Sequence, residues 1–139
     1  MKILIINGPN LNLLGTREPD IYGSTSMDDI LTHLKSEYSQ HAIEYFQSNF
    51  EGEIIGKIQE NDFDALIINP GAFTHYSYAI ADALKNLRKP KIEVHISNIY
   101  QREEFRQKSV TAAYTDAVLS GFGTEGYRLA IIHLISTIQ

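Results

Sequence analysis

Apolar residues return along this chain in two rhythms. Short runs that are apolar at consecutive positions fall at residues 3–7, 43–47, 65–69, 92–96 and 117–120, and longer stretches with apolar residues every three or four positions lie between them. Runs such as Leu4-Ile5-Ile6 and Leu66-Ile67-Ile68 offer no polar face to water. That is the mark of parallel strands covered by helices on both sides. Strands alternating with helical stretches predict βαβ units and a doubly wound parallel α/β sheet.

The helical stretches differ in clarity. In the first, Met27, Ile30, Leu31, Leu34 and Tyr38 share one stripe behind a Ser26–Asp29 cap, with His33 and Lys35 facing water. A second helix is expected over residues 50–60, carrying Ile54, Ile55 and Ile58. A third, over residues 75–87, buries Ile80, Ala83, Leu84 and Leu87 and sets Asp82 on the opposite side. In the last, over residues 125–138, Tyr127, Ile131, Leu134, Ile135 and Ile138 form one face, which Leu129, Ala130 and Ile132 widen. So broad an apolar face predicts cover by a neighbouring subunit. Residues 8–25, with Gly8, Pro9, Gly15, Pro19 and Gly23, fit no element; loops this long are functional or disordered, and an active-site lid is the expectation here.

Composition narrows the class. A chain of 139 residues, 43% hydrophobic and 21% charged, is expected to form one globular domain over residues 1–139. A net charge of -5 without basic clusters disfavours nucleic-acid or anionic-membrane partners. The absence of cysteine excludes disulfides, thiolate metal sites and cysteine nucleophiles, and makes the cytoplasm the expected compartment. No apolar run approaches the roughly 18 residues of a membrane span.

Ligands of open α/β sheets bind beyond the carboxyl ends of the strands. There this chain places Asn10, Asn12, Arg17 and Tyr22 after the first run, Asn69, Gly71, Thr74 and His75 after the third, and His95, Ser97 and Asn98, then Arg102 and Arg106, after the fourth. A free tyrosine with a pKa near 10 is only about 0.1% ionised at pH 7. A guanidinium beside it raises that fraction, so Arg17 and Tyr22 read either as a general base with its activator or as an aromatic anchor for the loop. Glu93 stands two residues before His95 on the same side of a strand, either orienting a catalytic imidazole or forming a structural pair. His75 is read as opening the third helix, as a plain helix-start residue or as an oxyanion ligand.

Two familiar patterns do not carry over. Gly121, Gly123 and Gly126 spell G-x-G-x-x-G, but the thirteen residues after Gly126 include no acid and cannot supply the further strand of a dinucleotide site. They read as a tight strand-to-helix turn. The chain has no G-x-x-x-x-G-K-[ST] loop and no H-x-x-x-H spacing, so no metal is expected.

Three long segments are more specific: N-G-P-N-L-N-L-L-G-T-R-E-P-D-I-Y-G at residues 7–23, I-N-P-G-A-F-T-H-Y-S at 68–77 and E-V-H-I-S-N-I-Y-Q-R-E-E-F-R at 93–106. With G-F-G-T-E-G-Y at 121–127 they run almost end to end, and in them the chain resembles the type II 3-dehydroquinate dehydratases of the shikimate pathway. The resemblance implies a flavodoxin-like five-stranded sheet of order 2-1-3-4-5 and a cofactor-free dehydration of 3-dehydroquinate to 3-dehydroshikimate through an enolate. It implies Tyr22 as base, Arg17 as its activator, Asn10 stabilising the enolate oxygen through a water, and His95, supported by Glu93, as the acid. Base and acid arriving from different loops imply anti elimination. Asn69, Gly71, His75, Ile96, Ser97 and Arg106 would hold the substrate, and Arg102 would secure the loop that carries Arg17 and Tyr22. Asp82 matches an aspartate contributed to a neighbouring subunit's site, within trimers assembled into a dodecamer. The chain departs from the family's usual His-Ala pair with Tyr100-Gln101, and the turn at residues 61–64 is short, which predicts altered packing there with the chemistry intact. Competing readings are another cofactor-free lyase or isomerase acting on a cyclic hydroxy acid, a flavodoxin-like binding module, and a catalytically silent homologue. The lack of a hydroxyl-rich phosphate loop after the first strand counts against the module.

Overall fold

The first apolar run becomes β1 (Lys2–Asn7) and takes an inner place in the sheet, so both of its faces and both of its edges are covered. The computed structural model describes residues 1–16, 20 and 25–138. β1 pairs in parallel with β2 (Ala42–Gln47) on one edge and β3 (Ala65–Asn69) on the other; β4 (Lys91–His95) and β5 (Ala117–Ser120) follow, giving the order β2-β1-β3-β4-β5. This is the flavodoxin-like α/β order that the resemblance implied.

Alternation within the strands divides the core. Ile3, Ile5, Ile67, Ile92 and Val94 meet α1 (Met27–Glu37) and α4 (Glu125–Ile138) on one side. Leu4, Ile6, Leu66 and Ile68 meet α2 (Glu51–Glu60) and α3 (Tyr78–Asn86) on the other. Full burial of each such side chain contributes roughly 1.5–3 kcal/mol, which is why strands without a polar face stay inside. The α1 cap forms as expected, Ser26 Oγ accepting from the Asp29 N–H at 3.2 Å. Among the described residues no helix is long and apolar enough to cross a membrane.

The third helix differs from its expected bounds. His75 does not open it: His75 closes a separate 3-10 turn, Gly71–His75, and α3 begins at Tyr78. The cap is Ser77, whose Oγ accepts from the Ile80 N–H at 3.1 Å and donates to Glu51 Oε2 of α2. The apolar stripe cannot reveal this break, because Phe73 is buried in the same core layer as the helix. Between β4 and β5 the chain uses three 3-10 turns, Ile99–Gln101, Glu104–Arg106 and Ala112–Tyr114, in place of an α-helix. Gly121 and Gly123 take positive φ angles of 95° and 61°, the strand-to-helix turn expected of them, and Gly126 lies against Val94 where α4 meets the sheet.

Candidate active site

Register assembles the site. Asn7 lies opposite both Gln47 and Asn69, so three amides stand side by side at the carboxyl edge, while His95 lies opposite Ser120. The loops after β1 and β3 then interlock. A Cβ on Gly8 would sit 2.2 Å from the Pro70 carbonyl oxygen, and Gly71, at φ 61°, meets the Pro9 carbonyl; only glycine fits either place. Gly8 N–H donates to the Asn69 carbonyl at 2.7 Å across the same seam.

Above this edge lies a cleft that is open to solvent and lined by polar side chains and backbone. Asn10, Asn69, Gly71, His75, His95, Ile96, Ser97, Arg102 and Arg106 all line it. The structure thus gathers nine of the thirteen expected site residues on one wall-to-wall surface. Glu93 lies beneath, bonded to His95. Asp82 is elsewhere, exposed on α3 and facing away from the buried stripe as expected. Arg17 and Tyr22, the expected activator and base, lie outside the described residues.

The Glu93–His95 pair links the cleft to the buried sheet beneath it. Lys91, Glu93 and His95 share the β4 face opposite Ile92 and Val94, and Glu93 is fully buried. His95 Nε2 meets Glu93 Oε2 at 2.7 Å. Thr111 donates to Oε1 at 2.5 Å, while Ser109 and Thr74 reach Oε2 at 3.1 Å each. Three of these partners converge on Oε2 and one on Oε1, so both oxygens of the buried carboxylate are hydrogen-bonded. Burial pushes the Glu93 carboxyl up, but the hydrogen bond and charge of His95, then Thr111 and Ser109, outweigh it and hold the group below the usual carboxylate range. An ionised carboxylate only accepts, so Nε2 carries the proton in this contact and Nδ1 is the ring nitrogen left for acid–base chemistry.

Other side chains are placed by their own partners. Asn69 donates through Nδ2 to Tyr127 Oη at 3.1 Å and accepts from the Gly71 N–H at 3.1 Å, keeping one amide hydrogen for a ligand. Tyr127 Oη donates in turn to Asn7 Oδ1 at 2.7 Å, and burial pushes its phenol well above the ordinary tyrosine range, so it stays neutral. His75 Nδ1 contacts the Lys108 carbonyl at 2.7 Å. Arg102 Nη1 donates to Ser97 Oγ at 3.3 Å, and Arg106 Nε donates to Glu103 at 2.8 Å. Asn10 adopts a left-handed backbone, φ 69° and ψ -5°, which asparagine tolerates better than most residues.

Sequence reasoning missed Ser109, Thr111 and Tyr127 as parts of this site, and named Thr74 without a role. Ser109 and Thr111 come from the irregular β4–β5 connection, where no periodicity marks a residue as inward. Tyr127 reads as core from its stripe, and only the buried Asn7 and Asn69 beside it reveal its hydroxyl's task.

Comparison with known proteins bears on the sequence and the fold as a whole. The family model described as dehydroquinase class II matches residues 1–135. A 3-dehydroquinate dehydratase from Thermotoga petrophila is 53% identical over 141 aligned positions, covering 100% of this chain and 98% of that protein. One from Caldicellulosiruptor bescii is 56% identical, with 96% and 95% covered. The crystal structure of the type II dehydroquinase from Butyrivibrio crossotus superposes with a TM-score of 0.93 at 50% identity, 97% of each chain covered. That of the Propionibacterium acnes enzyme superposes with a TM-score of 0.93 at 45% identity, over 97% and 96%. A match this complete in sequence and in fold leaves one conclusion: the chain belongs to the class II dehydroquinase family.

Proposed function

We propose that this protein dehydrates 3-dehydroquinate to 3-dehydroshikimate by anti elimination through an enolate, without a cofactor. The hydro-lyase class follows from the family. The observation that carries the mechanism is the buried Glu93 carboxylate holding His95 by Nε2 at the floor of a polar cleft, which commits Nδ1 to the ligand side.

Tyr22, its pKa lowered by Arg17, removes a proton from the methylene beside the ketone, and the C–H electrons pass into the enolate. Asn10, through a water, stabilises the enolate oxygen; such preorganised donors supply much of the rate enhancement in sites of this kind. The electrons return to form the ring double bond as the C–O bond breaks, and His95 protonates the departing hydroxyl to water. Proton transfer between Tyr22 and His95 through solvent resets the enzyme. Ser97 and the Ile96–Ser97 backbone suit the carboxylate; Asn69, Gly71, His75 and Arg106 suit the ring oxygens; Arg102 secures the loop bearing Tyr22. Asp82 completes a neighbouring subunit's site within trimers of a dodecamer, in a cytoplasmic enzyme of the shikimate pathway or of quinate breakdown.

The test is an ultraviolet assay with purified protein and 3-dehydroquinate. The conjugated enone of the product is expected to appear, undiminished by chelator or by borohydride in the presence of substrate. Silence from the assembled protein overturns the assignment, and loss of activity on borohydride treatment overturns the enolate route in favour of a Schiff base.

A further inference from the structure

Gln47 closes β2 and is followed by Ser48 and Asn49, none of which has a role in the proposed reaction. The side chains of Gln47 and Asn49 nonetheless cross to the β1 loop. Asn49 Oδ1 accepts from the Asn10 backbone N–H at 3.0 Å and from Gln47 Nε2 at 3.1 Å. The second hydrogen of the Gln47 amide goes to the Gly8 carbonyl at 3.1 Å. Because a backbone N–H can only donate, the Asn49 atom facing Asn10 is its oxygen, which fixes the amide orientation.

We infer that Asn49 is a positioning residue for Asn10, its side-chain oxygen pinning the left-handed turn that sets Asn10 in the cleft wall. Asn10 is a non-glycine residue at φ 69°, and its carbonyl accepts from the Leu13 N–H at 3.1 Å to start the 3-10 turn Leu11–Leu13. Freed of the tie, such a residue relaxes toward negative φ, which swings its Cβ and side chain out of place. The register Asn7↔Gln47 brings the clamp alongside, and the interlocked Gly8 and Pro70 hold the opposite flank. Asn49 is exposed and is not among the cleft-lining residues, so it reaches the ligand only through Asn10.

The inference rests on the proposed role of Asn10 at the enolate oxygen, and a double-mutant cycle separates the two. Steady-state kinetics on 3-dehydroquinate compare Asn49→Leu, Asn49→Asp, Asn10→Ala and the Asn10→Ala/Asn49→Leu double variant, with thermal melting as the fold control. Asn49→Leu is expected to lower kcat about tenfold to a hundredfold with little change in KM, since only a group engaged more strongly in the transition state is displaced. Asn49→Asp keeps the acceptor and restores most of kcat. In the Asn10→Ala background, Asn49→Leu adds nothing further. A wild-type kcat in Asn49→Leu beside an impaired Asn10→Ala overturns the inference alone, as does an equal, additive loss in the double variant. A wild-type kcat in Asn10→Ala overturns the role of Asn10 and the inference with it.

Discussion

The fully buried carboxylate of Glu93 tolerates its charge only because His95 and three hydroxyls surround it. Its pKa in the fold lies below the unfolded value of about 4.3, so the fold binds this proton less readily than the unfolded chain. Its contribution to stability is therefore present above that value and lost as the pH falls through the folded pKa. Thr111→Val removes one donor and raises the folded pKa, so the loss begins at higher pH. We expect Thr111→Val to cost about 1.5–3 kcal/mol at pH 7, the range for hydrogen bonds to charged groups, with the difference from wild type shrinking as the pH falls below the usual carboxylate range. Urea unfolding at fixed protein concentration across that span checks this; a pH-independent difference contradicts it.

At the scale of elements, α3 is anchored at its first turn. Ser77 caps it and binds Glu51 at the first turn of α2, so one hydroxyl ties two helices flanking the same core layer. Ser77→Ala is expected to lower stability by about 1–2 kcal/mol, the upper range for a lost cap, because Glu51 loses a partner as well. Chemical denaturation measures it, and Ser77→Thr, which keeps the hydroxyl, should recover most of the loss. The break before Ser77 serves the site: a continuous helix from residue 75 would draw Thr74 into its first turn, whereas the 3-10 turn keeps Thr74 buried against Glu93.

At the scale of the whole molecule, the proposed sharing of sites between subunits makes a prediction of its own. Asp82 is exposed on the outer face of α3, and the proposed mechanism takes Tyr22 from the same chain as His95. Asp82→Asn and Tyr22→Phe homo-oligomers should each be nearly inactive. Unfolded together and refolded as mixed oligomers, they should regain activity, because some sites then combine an intact Tyr22 with an intact Asp82 from a neighbour. Mixed oligomers as inactive as either parent contradict the shared site. The outward Ile132 and Ile138 of α4, 41% and 38% exposed, are apolar surface of the kind such assembly covers.

Local pattern along the chain was enough to read the five strands, their parallel pairing, the covering helices and the bulk of the cleft lining. Strands without a polar face have one environment open to them, and ligand groups in such sheets collect beyond the carboxyl ends. The pairing of Glu93 with His95 was legible too, because alternation along a strand puts residues two apart on one side. Tertiary structure alone decided what reaches those groups from elsewhere in the chain: Ser109 and Thr111 on Glu93, Tyr127 on Asn69, Asn49 on Asn10. Each of these contacts joins residues 16 to 58 positions apart, and no local period encodes a partner at that separation. It decided also where the third helix starts, since a buried Phe73 continues the apolar stripe into a 3-10 turn and only the Ser77 cap marks the boundary.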